Sequence, residues 1–221
     1  RVGRCTAPDG HELAADGDTG ARVLVARFAA GAATPTLTLV NRIQTQNRAT
    51  DWQARPAGPA PEPEELRRWT APSSLITTDG IVRKVAEQIV AGARSDREKA
   101  QRIYDWVVVS TYREPKVRGC GVGDIKTMLE TNNLSGKCAD INALFVGLCR
   151  AAGVPARDIY GVRLVPSAFG YRELGANPAS LKGAQHCRAE VYLKAHGWVA
   201  MDPADVTKVM RQETPEWIKD A

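Results

Sequence analysis

Leu134-Ser-Gly-Lys-Cys138-Ala-Asp-Ile-Asn-Ala-Leu-Phe-Val-Gly-Leu-Cys149-Arg-Ala-Ala-Gly153-Val-Pro155 is the stretch on which the fold turns. From Cys138 onward, Ala139, Leu144, Phe145, Leu148, Cys149 and Ala152 recur at helical spacing, which predicts an amphipathic helix. Gly153 suits the position after its last turn, and Pro155 forbids continuation. Cys138 then sits in the first turn, where unpaired amides and the positive end of the helix dipole favour a thiolate. Ser135-Gly136 ahead of it allows a tight turn and leaves room for a substrate backbone. Taken alone, Cys138 has two readings, a reactive thiolate or a small buried hydrophobe; Cys149 on the same helix takes the second.

The second informative stretch is Gln185-His-Cys-Arg-Ala-Glu-Val-Tyr-Leu193. Cys187, Ala189, Val191 and Leu193 alternate with His186, Arg188, Glu190 and Tyr192, the period of a half-buried strand with His186 at its start. Lys194-Ala-His-Gly197 reads as a turn, and Trp198-Val-Ala-Met-Asp202 as the returning strand. A cysteine at a helix start, a histidine at a strand edge and an acid on the next strand form a nucleophile, a base and an orienting group. The register raises a conflict. A four-residue turn over 194–197 sets Leu193 opposite Trp198, and therefore His186 opposite Asp205 rather than Asp202. Three strand residues span about 10 Å, beyond hydrogen-bonding reach. Either a bulge or asymmetric turn brings Asp202 to His186, or Asp205 is the acid.

Upstream, Ile81, Val82, Val85, Ile89 and Val90 predict one helix. Ser95-Asp-Arg-Glu98 predicts a capping box opening a second, with Ala100, Ile103, Tyr104, Trp106 and Val107 as its apolar face. Gly119-Cys-Gly-Val-Gly123 breaks regular structure without the spacing or the Lys-Ser/Thr pair of a phosphate loop. A strand is predicted over 158–165, flanked by Arg157 and Arg163, which either pair with acids or hold a substrate carboxylate. Residues 166–183 read as a mobile loop bordering the cleft. Further upstream, residues 1–20 read as a loose arm, and 22–28 and 36–43 as strands. Arg55-Pro-Ala-Gly-Pro-Ala-Pro-Glu-Pro63 reads as an extended linker. The expected organisation is a β-rich N-terminal extension with its Pro-rich linker over 1–70 and a main core over 71–221.

Composition narrows the function. Of 221 residues, 43% are hydrophobic and 25% charged, ordinary values for a folded chain. No apolar run approaches the ~20 residues of a membrane helix. The net charge of +5 is spread along the chain without a dense Lys/Arg block or interleaved aromatics, so no nucleic-acid partner is expected. Cys5, Cys120, Cys138, Cys149 and Cys187 make an odd number with no C-x-x-C pair, which speaks against a zinc ribbon or a disulfide scaffold. Cys5 and Cys120 are left open between free thiols and a disulfide. A metal held by Cys138, His186 and Cys187 would need both faces of one strand, and no metal or other cofactor is expected. His196 is read as an exposed turn residue, Cys187 as core.

The residues resemble the transglutaminase-like cysteine enzymes, which share a papain-like core. Gly136-Lys-Cys138-Ala-Asp, Leu148-Cys-Arg-Ala-Ala-Gly-Val-Pro-Ala-Arg157, His186-Cys-Arg-Ala-Glu-Val-Tyr and Gly197-Trp-Val-Ala-Met-Asp202-Pro carry the likeness, which reaches back into Ala100-Gln-Arg-Ile-Tyr-Asp-Trp-Val107. The resemblance implies an α+β fold, with helices packed on an antiparallel sheet. It also implies Cys138 as nucleophile, His186 as general base and Asp202, in preference to Asp205, as orienting acid. The activity implied is attack on an amide through a thioester acyl-enzyme, as in bacterial cysteine proteases or amidases acting on a peptide or protein substrate. Two alternatives stand beside it, a catalytically silent peptide-binding module and a protein cross-linking transglutaminase. The Cys138 amide is the expected oxyanion donor, with Tyr112 a weaker second. Secreted relatives and a first residue other than Met lead to an expectation of export.

Overall fold

The computed structural model describes residues 2–6, 11–15, 22–42, 44, 46, 49–53 and 59–213. The chain forms two compact units, Arg1–Ala49 and Thr50–Ala221. In the first, β1 (Val2–Thr6) pairs antiparallel with β4 (Thr38–Arg42), and β2 (His11–Ala15) with β3 (Arg22–Ala26). The expected loose arm over 1–20 therefore contains two strands. Composition averaged over twenty residues hides five-residue strands. Each of the two strands predicted further on pairs with one of these rather than with the other.

Residues 55–58 of the expected linker lie outside the described residues. The Pro-rich stretch ends by starting a helix, α1 (Pro63–Arg68), with Pro63 in the first turn, where its missing N–H costs nothing. Then come α2 (Gly80–Ile89) and α3 (Asp96–Ser110). Ser95 caps α3 by accepting the Glu98 amide at 3.1 Å. The reciprocal half of the predicted capping box is displaced by one residue, since Glu98 accepts the Arg94 amide instead.

A short parallel ribbon joins β5 (Tyr112–Arg113) to β6 (Ser135–Gly136), with α4 (Ile125–Glu130) between them in sequence. α5 (Cys138–Ala151) follows at once and is buried from Ala139 to Ala151. A helix apolar on all sides belongs in a core rather than on a surface. It packs on α2, α3 and α6 (Pro203–Gln212), and on the strands β7 (Ala156–Val162) and β8 (Gln185–Leu193). Leu144, Phe145 and Leu148 are fully inaccessible; trimming any of them to Ala costs about 2–5 kcal/mol. Arg150, a charge in this core, is satisfied by the Ala156 and Ala71 carbonyls at 2.8 and 3.0 Å.

The three-stranded sheet has the order β7-β8-β9, all antiparallel, with β9 spanning Gly197–Met201. This is an α+β fold with helices packed on an antiparallel sheet. β7 begins two residues before the predicted strand and ends three before it. The β8–β9 turn places Leu193 opposite Gly197 and Tyr192 opposite Trp198, one residue tighter than expected. That correction does not bring Asp202 into register with His186. Pairing stops at Ala189 opposite Met201, so no β9 residue faces His186. At Asp202 the chain leaves the sheet and starts α6, whose first residue, Pro203, has no N–H to continue a ladder.

Candidate active site

Cys138 is the first residue of α5. The loop 119–123 folds over this helix start: the Cys120 carbonyl accepts the Ala139 amide at 2.8 Å and lies 4.0 Å from the Cys138 thiol. Asp140 ties the junction together. Its Oδ1 accepts the amides of Val122 and Gly123, and its Oδ2 accepts that of Lys137. The glycines are there because of this carboxylate. A Cβ on Gly121, at φ +103°, falls 2.0 Å from Asp140 Oδ2, and one on Gly136 falls 2.4 Å from the Asp140 Cβ. A position three residues after a helix cap is where an acid commonly satisfies the cap amide, and Asp140 was readable in that way.

His186, half-buried, meets Asp202 from its Nε2, 2.6 Å from Oδ2. Asp202 reaches it from the N-cap of α6, where its Oδ1 accepts the Asp205 amide at 3.1 Å. Asp205 lies farther off, 3.7 Å from the same ring nitrogen, and both its oxygens lie 2.6 Å from Arg163 Nη2. The ligand atoms of His186, Asp202 and Asp205 lie within 4.8 Å of one another. The 2.6 Å hydrogen bond and the Arg163 contacts engage the same lone pairs that a cation would need.

Asn142, one helical turn beyond Cys138 and fully buried, binds all three elements. Its amide donates to the Cys187 carbonyl at 2.8 Å and to Asp202 Oδ1 at 3.3 Å, and its carbonyl accepts the Ala204 amide at 3.4 Å. The signal was present in the sequence: a polar residue four positions after Cys138, flanked by Ile141, Ala143, Leu144 and Phe145, must find buried partners.

Cys187 points into the core as expected, fully buried, but its thiol also hydrogen-bonds Cys138. That bond is the largest influence on Cys138 and holds its pKa far below the usual thiol range. Burial opposes it, and hydrogen bonding to His186 and the charge of His186 add to it. The same bond, then burial, pushes the Cys187 pKa up. For His186, burial alone lowers the pKa, but hydrogen bonds to Asp202 and Cys138 and the charges of Asp202 and Asp205 outweigh it and raise the value to about 9. Both shifts run in the direction that favours a thiolate on Cys138 and a proton on His186. The described cysteines Cys120, Cys138, Cys149 and Cys187 are free thiols; the side chain of Cys5 lies outside the described residues.

Cys138 and His186 open onto a cleft of about 320 Å³. Tyr112 is exposed on β5 and does not line it. His196, expected in solvent, is half-buried with its ring edge-on to Trp52, centroids 5.0 Å apart. Both flanking arginines pair with acids. Arg157 is fixed by Glu190 at 2.8 Å and stacked 3.9 Å from the Trp198 ring, and Arg163 is held by Asp205. The loop over 166–183 is bridged internally, Pro166 to Gly175 and Asn177 to Ser180. It is tied to α6 and its end by Lys208 with Glu173 and by Glu213, which accepts the Glu173 amide.

The family model of the transglutaminase-like superfamily matches residues 83–203. The chain belongs to the transglutaminase-like superfamily. An uncharacterized protein of Haemophilus influenzae is 41% identical over 157 residues, which are 67% of this chain and 42% of that protein; the chain thus spans less than half of that relative's length. Among solved structures, the periplasmic domain of TgpA from Pseudomonas aeruginosa is similar at 18% identity and a TM-score of 0.51, over 68% of this chain and 50% of that one. A protein from Cytophaga hutchinsonii described as a putative cysteine protease is similar at 17% identity and a TM-score of 0.57, over 93% and 65%. At these identities what is shared is the fold.

Proposed function

We propose that the protein is a thiol-dependent amide hydrolase or acyltransferase acting on peptides, with Cys138 as nucleophile, His186 as acid and base, and Asp202 as orienting carboxylate. The observation that carries this reading is that Cys138, at the start of α5, and His186 line one cleft, with Asp202 2.6 Å from the His186 Nε2 and pKa shifts that favour a thiolate and a protonated ring. The Cys138 thiolate attacks the amide carbonyl carbon. The oxyanion that develops is met by the Cys138 amide, a donor in the first turn of α5 with no acceptor among the described residues. His186 passes its proton to the departing amine nitrogen as the C–N bond breaks, leaving a thioester and a neutral imidazole. Water or a second amine then attacks the thioester, giving its proton to His186, and Cys138 leaves as the thiolate. Asp202 keeps the ring oriented throughout. The loss of negative charge on acylation removes one support of the raised His186 pKa, which suits the ring to act as a base in the second half.

The test is a peptide library incubated with wild type and with Cys138→Ala, analysed by mass spectrometry for cleaved products and for a mass added to Cys138. Cleavage lost in the variant, with an acyl adduct on the wild-type residue, is the expected result. Cleavage retained in full by Cys138→Ala sinks the reading. Adding a primary amine to the wild-type reaction separates hydrolysis from transfer, since only transfer yields an amide of the added amine.

A further inference from the structure

Four cations line the cleft around Cys138: Arg113, Lys137, Arg163 and Lys208. Two are already engaged. Arg163 is held by Asp205, and Lys208 by Glu173, its charge partner at 3.4 Å. Asp205 and Glu173 are also the acids lining the cleft. Arg113 and Lys137, both half-buried, have no carboxylate partner among the described residues. Counted with the Cys138 thiolate, the His186 imidazolium and Asp202, the cleft still carries an excess of positive charge.

The two unmatched cations share one wall. Arg113 closes β5, where its Cα pairs with Gly136 of β6, and Lys137 stands between Gly136 and Cys138. The engaged cations come from elsewhere, Arg163 from just beyond β7 and Lys208 from α6. Arg157 and Arg163 were the residues that sequence left open for a substrate carboxylate, and Glu190 and Asp205 occupy them. The cations without a carboxylate partner among the described residues stand on the β5–β6 wall instead. Half-buried charges interact with an anion more strongly than fully solvated ones, and a guanidinium matches a carboxylate in a bidentate fork.

We propose that Arg113 and Lys137 bind a carboxylate of the substrate within a residue or two of the scissile amide, so that the acyl donors are acidic peptides. This rests on Cys138 being the nucleophile. The carboxylate comes from an Asp or Glu side chain or from a free C-terminus, and the chemistry recognised is the same.

The test compares alkylation of Cys138 by iodoacetate, an anion, with alkylation by iodoacetamide, its neutral counterpart, read by peptide mass spectrometry. Because the same thiolate attacks both, the ratio of rate constants cancels any change in thiol pKa and reports the local charge. Removing each charge, in Arg113→Gln, Lys137→Gln and the double variant, is expected to lower the ratio about fivefold. Arg113→Lys, which keeps the charge, should preserve it, and about 1 M salt should flatten the series. A ratio unchanged in the double variant overturns the proposal. Protection of Cys138 from iodoacetamide then identifies the source: N-acetyl-Glu-Ala-amide presents a side-chain carboxylate, N-acetyl-Ala-Ala a terminal one, and N-acetyl-Gln-Ala-amide none. If neither anionic peptide protects better than the Gln peptide, the substrate class is wrong. Failure of the nucleophile reading looks different: iodoacetamide alone then reacts with Cys138 as with an ordinary thiol, and His186→Ala leaves its pH profile unmoved.

Discussion

Asp202 meets His186 from a helix cap, its Oδ2 2.6 Å from Nε2 while its Oδ1 accepts the Asp205 amide. One carboxylate therefore both starts α6 and orients the imidazole, and the two roles are separable by chemistry. Asn is as good an N-cap as Asp but cannot hold an imidazolium by charge. Asp202→Asn should keep the folding stability within about 0.5 kcal/mol and lower the rate of peptide cleavage roughly 10³-fold, whereas Asp202→Ala should also lose about 1 kcal/mol of stability. Asp205→Asn should cost less than about tenfold in rate, since Asp205 is engaged with Arg163. Denaturant unfolding beside steady-state kinetics checks both; a larger rate loss in Asp205→Asn than in Asp202→Asn would falsify the assignment of the acid.

The pH dependence follows from the two opposed shifts. Cys138 holds its charge well below the usual thiol range, and His186 keeps its proton up to about 9. Acylation needs the thiolate and the imidazolium together, so kcat/KM should rise once through the depressed thiol pKa, stay level across neutrality, and fall near pH 9. Replacing Cys187 by Ala removes the largest support of the Cys138 thiolate, so the acid limb should move upward while the alkaline limb stays near 9. Iodoacetamide rates across pH measure the acid limb without any substrate.

Asp158 carries a different signature. Burial raises its pKa to about 6, partly offset by Arg150, and its Oδ1 is buried without a hydrogen-bond partner among the described residues. A carboxyl raised in the folded state contributes stability that is fully present below the unfolded value near 3.9 and is lost as the pH rises through about 6. Asp158→Asn should accordingly be the more stable chain above pH 6, by at most about 3 kcal/mol, with the difference vanishing below pH 4. Thermal unfolding at pH 4 and pH 8 decides it; equal gains at both values would attribute the effect to something other than ionisation.

The loop over 119–123 predicts a fourth result. Gly121→Ala brings a methyl onto Asp140 at a backbone angle that L-residues rarely adopt, so a loss of more than about 2 kcal/mol is expected, together with slower alkylation of Cys138. A variant with wild-type stability would mean that the loop can move off the carboxylate.

What sequence disclosed and what it hid divide along a physical line. The helix from Cys138, the strand from His186 and the glycine and proline that end α5 were legible, because period and punctuation are local. Register alone did not disclose that Asp202 meets His186, although the resemblance pointed to it, because strand register extrapolates only while the strand lasts, and Pro203 opens a helix immediately after Asp202. The bond from Cys187 to Cys138 was hidden because alternation assigns a side chain to a face without saying which helix atom waits there. The engagement of Arg163 by Asp205 was equally out of reach, being a contact between residues far apart in sequence.

Asn142 has a consequence for when the chain becomes reactive. Its amide is satisfied only when β8 and the start of α6 have both docked on α5. Cys138 leaves the ribosome before either, and until they arrive it has neither an imidazole neighbour nor a Cys187 donor. A nascent or partly unfolded chain thus carries an ordinary thiol, slow toward amides. On the proposed reading, the reactive thiolate would arise only once β8 and the start of α6 have docked on α5, which would spare a partly folded chain premature chemistry.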